Sequence, residues 1–308
     1  MAHEIETMAY AGELPWHGLG TKVLADLTPA QMLDAAELNW TVEKHPTYYT
    51  KDGCNHITDS QALVRSSDNK LLSMVSDDWN PIQNEEAFEF FNDFVGAGDM
   101  EMHTAGSLKN GQIVWALAKV KESFELFKGD QVDSYLLFSN FHKYGFSTDV
   151  RFTPIRVVCN NTLTLSLNTK VENFVKISHR QKFNPDITKE MLGVAKEKLL
   201  SYKEMASFLG SKRYSEENIV EYFTRIFPVS GKKEVSRNAW RALEVLDTQP
   251  GREYAPGTWW QAFNAVTYMT DHELGRTADS RLTSAWYGFN KGLKTRAIEL
   301  AVEMAEAA

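Results

Sequence analysis

The chain has 308 residues, 43% hydrophobic and 24% charged, which is enough apolar content for one large packed domain or two smaller ones and excludes a disordered chain. Its net charge of −8 speaks against a simple duplex-DNA binder, and its apolar runs fall far short of the roughly 18 residues of a membrane-spanning helix. Cys54 and Cys159 lie far apart, as suits a reducing cytoplasm better than a disulfide scaffold, and the opening MAHEIETMAY lacks the basic and apolar regions of a secretion signal.

The first 182 residues read mainly as strands. TPAQMLDAAEL (28–38) predicts a helix, with Thr28 at the N-cap and Pro29 in the first turn. TVEKHPTYYT (41–50) is β-branched and aromatic, and KDGC supplies an Asp-Gly turn after it. QALVR and LLSMVSD predict paired strands across the polar turn SSDN. NEEAFEFFNDFVGAG (84–98) predicts one helix, capped by Asn84 and stopped by Gly96 and Gly98. SLKNGQIVWALAKV carries the Asn-Gly signal of a hairpin. YLLFSNFH, VRFTPIRVV and VENFVKISH continue the sheet, with Pro154 marking an edge or a bulge. Thr162 to Leu167 is open between a strand and a short capped helix.

After KFNPD the period changes to helical, with helices expected near 187–209, 215–227, 234–247, 257–273 and 281–307. Strands first and helices after predict an α+β fold: a mainly antiparallel sheet with inserted helices over 1–182, then a helical domain over 183–308.

No catalytic motif stands out. Gly18 and Gly20 lack the third glycine and the preceding strand of a dinucleotide loop, and SGKKE lacks the upstream glycine of a phosphate loop. The eight histidines are scattered, and Cys54 with His56 has no partner pair, so no metal or cofactor is expected. Cys159 follows two valines, as a buried core cysteine does. Asp271 next to His272 is the one acid–base pair an enzyme reading can use, against a buried polar network with Arg281.

Charge distribution says more. Residues 1–100 carry 17 acids against 5 bases, whereas 141–182 hold seven bases against Asp149 and Glu172. Around RFTPIRVVCNNTLTLS, Arg151 and Arg156 suit bidentate phosphate binding, and Asn160 and Asn161 suit phosphate or base edges. Lys143, Lys176, Arg180 and Lys182 flank them, with Phe141, Tyr144, Phe146 and Phe152 interleaved. Cations that track a backbone and rings that stack on bases are what a single-strand binder needs. Trp16 and His17, before two glycines, form a second candidate for stacking or for a subunit contact.

MAHEIETM, PWHGLGTK, WNPIQNEEAFEFF, TAGSLKNGQIVWALAK, TPIRVVCNNTL and FNAVTYMTDH, spread over nearly the whole chain, resemble the uncharacterised phage/plasmid-like protein family, a family of unknown function carried by phages, prophages and plasmids. The resemblance implies an accessory protein of mobile elements, among DNA-metabolism and antirestriction genes. The outline of a sheet plus helices is also similar to single-strand annealing proteins of the Red-beta and Rad class, which form rings, although none of their motifs carries over and fold does not fix function.

The resulting expectation is a non-enzymatic, cytoplasmic protein of a bacterial host that binds single-stranded nucleic acid, with annealing activity as an extension. It has no membrane contact. A homo-oligomeric ring or filament is expected, because five or six phosphate contacts per subunit bind weakly alone. The rival readings are an antirestriction factor using the acidic first hundred residues and a nucleic-acid or nucleotide enzyme using Asp271 and His272.

Overall fold

The computed structural model of the chain describes residues 5–12, 20–121, 123–156, 161–162, 174–229 and 235–307. Two compact units share them. The first takes the described residues of Met1–Lys121, Tyr135–Arg151 and Phe174–Gly193, and the second those of Glu122–Ser134, Phe152–Asn173 and Val194–Ala308. The fold is α+β, with antiparallel-rich sheets in the N-terminal part and helices in the C-terminal part.

In the first unit, β1 (Ile5–Ala11) pairs in parallel with the short edge strand β2 (Thr21–Val23). Helix α1 (Pro29–Ala35) starts as expected: Gln31 N donates to Thr28 Oγ1 and Thr28 N donates back to Gln31 Oε1. A three-stranded antiparallel sheet comes next, β3 (Val42–Lys51), β4 (Cys54–Arg65) and β5 (Lys70–Ser76), in that order. Asp52 and Gly53 both adopt positive φ, 51° and 79°, the twist a two-residue hairpin turn requires.

The single helix expected over 84–98 is two short ones, α2 (Asn84–Glu89) and α3 (Asn92–Gly96). Phe90 and Phe91, both fully buried, fall at the break, Phe90 closing α2 and Phe91 preceding α3. The cap also differs: Gln83 precedes the helix and its N–H donates to Glu86 Oε2 at 2.7 Å, while the Asn84 side chain turns inward.

β6 (Met100–Leu108) and β7 (Ile113–Val120) form the hairpin announced by Asn110-Gly111. β8 (Phe124–Phe127), which gave no signal of its own, pairs with the start of β9 (Asp130–Phe141). β10 (Thr148–Arg156) pairs with β12 (Phe174–Ile177) from Thr148 to Arg151 and with β11 (Asn161–Thr162) from Ile155. Pro154 falls in the interval between these two partners. The large sheet runs β11–β10–β9–β7–β6–β1–β2, and its pairings around β1, β6, β7 and β9 are antiparallel except at β1–β2.

The two units do not divide at residue 182. β8 and the start of β9 belong with the helices because Leu126 and Val132 lie in the helical core. That core holds Tyr222, Phe223, Trp259, Trp260 and Phe263, all essentially buried. The helices are α4 (Pro185–Ser211), α5 (Glu216–Ile226), α6 (Arg237–Leu246), α7 (Trp259–Tyr268), α8 (Ala278–Tyr287) and α9 (Phe289–Glu306). Ser215, Ser236, Thr258 and Thr277 cap α5 to α8 with their hydroxyls. The helix expected over 281–307 breaks at Gly288, which ends α8 and begins α9, and α7 runs into a π-helical turn, Met269–Glu273.

Gly106 on β6 fixes how closely β1 and Trp115 approach. A Cβ there would overlap both the Thr7 carbonyl oxygen and the Trp115 indole. Gly106→Ala is expected to destabilise the chain by about 2 kcal/mol, read as a lowered midpoint in urea unfolding.

Candidate nucleic-acid interface

β10 begins at Thr148, whose register partner is Ile177, the last residue of β12. The turn from β9 to β10 and the segment after β12 therefore leave the sheet at the same end. The turn presents Tyr144, 58% exposed, and Phe146, 46% exposed. Phe146 stacks on the buried Phe141 at 5.3 Å, and Lys143 Nζ lies 5.5 Å from the Phe146 ring centre. Tyr144 N donates to Ser73 Oγ on β5 at 3.1 Å, fixing the turn against the smaller sheet. On the other side of this end, Arg180 and Lys182 are exposed, and Arg180 Nε sits 3.6 Å from Asp78.

Beneath these residues lies a buried polar network. Asn80 N donates to His179 O at 2.6 Å, and His179 Nδ1 lies 3.0 Å from Asn80 O. A carbonyl can only accept, so His179 carries its proton on Nδ1. Its ring stacks on Trp79 at 4.0 Å. Thr148 Oγ1 donates to Asn140 Oδ1, and Asn140 Nδ2 donates to Ile82 O at 2.7 Å. Asn84 Nδ2 donates to the Leu38 and Trp40 carbonyls, so its oxygen accepts from His142 Nε2 at 3.1 Å. His142 Nδ1 is buried without a partner among the described residues. Protonating it would bury a charge and an unmet N–H together. Burial, aided by the neighbouring His179, accordingly holds the His142 pKa down at about 3, and burial lowers that of His179 too.

A family model described as a domain of unknown function, DUF932, matches residues 71–286, well over half the chain. The chain belongs to the DUF932 family. No curated protein and no solved structure matches it. The DUF932 match begins within β5 and takes in the β9–β10 turn, the polar network around His142 and His179, and the helices up to Trp286.

Within this DUF932 chain the residues singled out in the sequence divide into groups. Lys143 lies in the β9–β10 turn and Arg180 and Lys182 in the segment after β12, which leave the sheet at the same end. Lys176 is exposed on β12, opposite Asp149. Arg151 Nε lies 2.9 Å from Asp149 Oδ1, and only 13% of its side chain is exposed, so its guanidinium is engaged within the chain. Arg156 and Asn161 pair through their backbones, Arg156↔Asn161, and their side chains lie outside the described residues. Asn160, Cys159, Trp16 and His17 lie outside the described residues as well. Sequence reading placed Tyr144 and Phe146 among the interleaved rings without choosing them. The dipeptides Tyr144-Gly145 and Gly145-Phe146 mark a turn tip, where a ring has no core to enter.

The enzyme reading fares differently. Asp271 sits in the π-helical turn, fully buried, with Oδ1 2.9 Å from Lys294 Nζ, which is buried too. His272 packs on Tyr268 with ring centres 4.7 Å apart. The Asp271 carboxylate thus faces a lysine of α9. Arg281 instead donates to Gly275 O.

Lys294→Met removes the cation 2.9 Å from the buried Asp271 carboxylate and is expected to cost about 3–5 kcal/mol, with Lys294→Met/Asp271→Leu recovering much of the loss in urea unfolding. For His142, the unfolded chain takes up a proton near pH 6.5 while the folded chain resists to about pH 3. Its contribution to stability is complete above pH 6.5 and is lost as pH falls from there toward 3, at about 1.4 kcal/mol per unit. His142→Gln is expected to flatten that part of a stability–pH profile.

Proposed function

We propose that this DUF932 chain is a non-enzymatic binder of single-stranded nucleic acid, using the end of the sheet formed by the β9–β10 turn and the segment after β12. One observation carries the reading: two exposed rings, Tyr144 and Phe146, flank Lys143's turn while Arg180 and Lys182 emerge at the same end. Exposed rings suit unpaired bases, whose faces are free, and cations on either side suit the phosphates between them. Duplex DNA hides its base faces and calls for more positive charge than this chain offers.

Lys176 extends the cationic side along β12. Arg151, engaged by Asp149, shapes the sheet edge instead of holding a phosphate. On this reading the chain serves mobile-element DNA metabolism in a bacterial cytoplasm, with annealing as the activity an assembled form would support. A handful of phosphate contacts per subunit favours a homo-oligomer that multiplies them.

Fluorescence anisotropy with a labelled oligothymidine tests it. The binding constant is expected to fall with salt at a log–log slope of about −0.7 per phosphate engaged, roughly −2 for Lys143, Arg180 and Lys182 together. Tyr144→Ala/Phe146→Ala is expected to weaken binding by about 1–3 kcal/mol per base stacked with the salt slope unchanged. Arg180→Ala/Lys182→Ala reduces the slope. Binding that ignores salt, or is missing at low salt, removes the proposal.

A further inference from the structure

The hairpin of β3 and β4 outgrows its sheet. β5 pairs with β4 only from Ser60 to Arg65, so beyond Ser60 the chain continues as a two-stranded ribbon to the Asp52-Gly53 turn. Residues directly opposite share a face, and successive residues point to opposite faces. Tyr48 opposite Ile57 therefore occupies one face, and Tyr49 opposite His56 the other. Tyr48 is 54%, Tyr49 53% and Ile57 69% exposed, His56 is exposed, and Tyr49 and His56 stack at 5.0 Å. A two-stranded ribbon is marginal in water by itself, and this one is apolar on both faces with neither covered by the described residues.

We propose that the ribbon is an assembly arm whose occupant is a second copy of this chain, with two copies exchanging arms reciprocally. The inference supplies the structural element for the assembly that the proposed function favours. Charge selects a protein partner over a polyanion. Across the ribbon, from Thr47 to Asp59, the charged side chains are Lys51, Asp52 and Asp59, a net of −1 in a chain of −8. An arm with so little charge approaches an acidic copy with little repulsion and offers a phosphate chain no attraction.

Area selects reciprocity. Tyr48, Tyr49, His56 and Ile57 offer on the order of 100 Å² apiece, roughly 400 Å² per arm, and docking covers about the same on the receiver. One-way docking then buries about 800 Å², no more than a packing contact, whereas two exchanged arms bury about 1,600 Å², the size of a stable interface. The receiving surface has apolar residues to match: Leu71 and Met74 on β5 are 56% and 43% exposed. Pro46 on the outer strand β3 has no N–H to offer, which favours docking by faces over edge-to-edge strand pairing.

Sedimentation of the full chain without nucleic acid decides the matter. Wild type is expected at twice the monomer mass or an even multiple of it. Tyr48→Ser/Tyr49→Ser/Ile57→Ser and, separately, Leu71→Ser/Met74→Ser are expected to sediment as monomers, with the dissociation constant raised at least tenfold. Both keep the wild-type melting temperature when diluted to monomer, since the replaced side chains are exposed. A wild type that stays monomeric, or variants that keep the wild-type mass, overturns the inference. So does a ribbon variant of unchanged mass that loses oligonucleotide affinity at low salt, which would make the ribbon a strand-binding element. Because mass is read without nucleic acid, a chain that binds no oligonucleotide leaves the arm exchange standing.

Discussion

The hydrogen bonds that Asn80, Asn84, Asn140 and His179 make to backbone carbonyls hold the segment between β5 and α2 against the end of the large sheet. That segment has no regular structure to satisfy its own polar groups, so side-chain amides and an imidazole do it instead. The arrangement fixes more than the segment. Asn80 joins it to the end of β12, Asn140 joins it to β9 and, through Thr148, to β10, and Asn84 joins α2 to the loop before β3. The three chain ends that carry Lys143, Tyr144, Phe146 and Arg180 are thereby set in relation to one another. For the proposed strand binding, such a rigid base leaves less ordering for the moment of binding.

Much of the fold was legible because local chemistry and final structure agree. Thr28-Pro29, Asp52-Gly53 and Asn110-Gly111 have one good local conformation each, and the structure uses it. Where sequence reading failed, a distant partner had decided the matter. Nothing within 84–98 announces the break, at which Phe90 and Phe91 pack against Phe138, far along the chain. Asn84 looks like a helix cap by type and position, yet its amide is claimed by carbonyls of residues 38 and 40. β1 and β8 are too short and too mixed in composition to show an alternation, and they exist because β6 and β9 offer them an edge.

The candidate site was legible in part for the same reason. A count of charges located the basic stretch but could not say which side chains were already engaged. Arg151 satisfies every sequence criterion for a phosphate contact, and its neighbour Asp149, two residues back on the same face of β10, claims it. Asp271 presents the complementary case. Its adjacency to His272 suggested an acid–base pair, whereas the π-helical turn carries the carboxylate inward to Lys294, a residue no spacing rule links to it. A π-helical turn holds one residue more than an α-helical turn and so rotates the side chains beyond it.

The interleaving of the two units has a consequence for how the chain comes into being. β9 and β10 each begin in one unit and end in the other, and the first unit lacks a strand until Phe174–Gly193 has been made. Emerging from a ribosome, the N-terminal part cannot close on itself early and wait. A cut at residue 182 leaves every described strand on its N-terminal side, so the helices beyond it lose β8, the start of β9 and β11, the strands that share their unit.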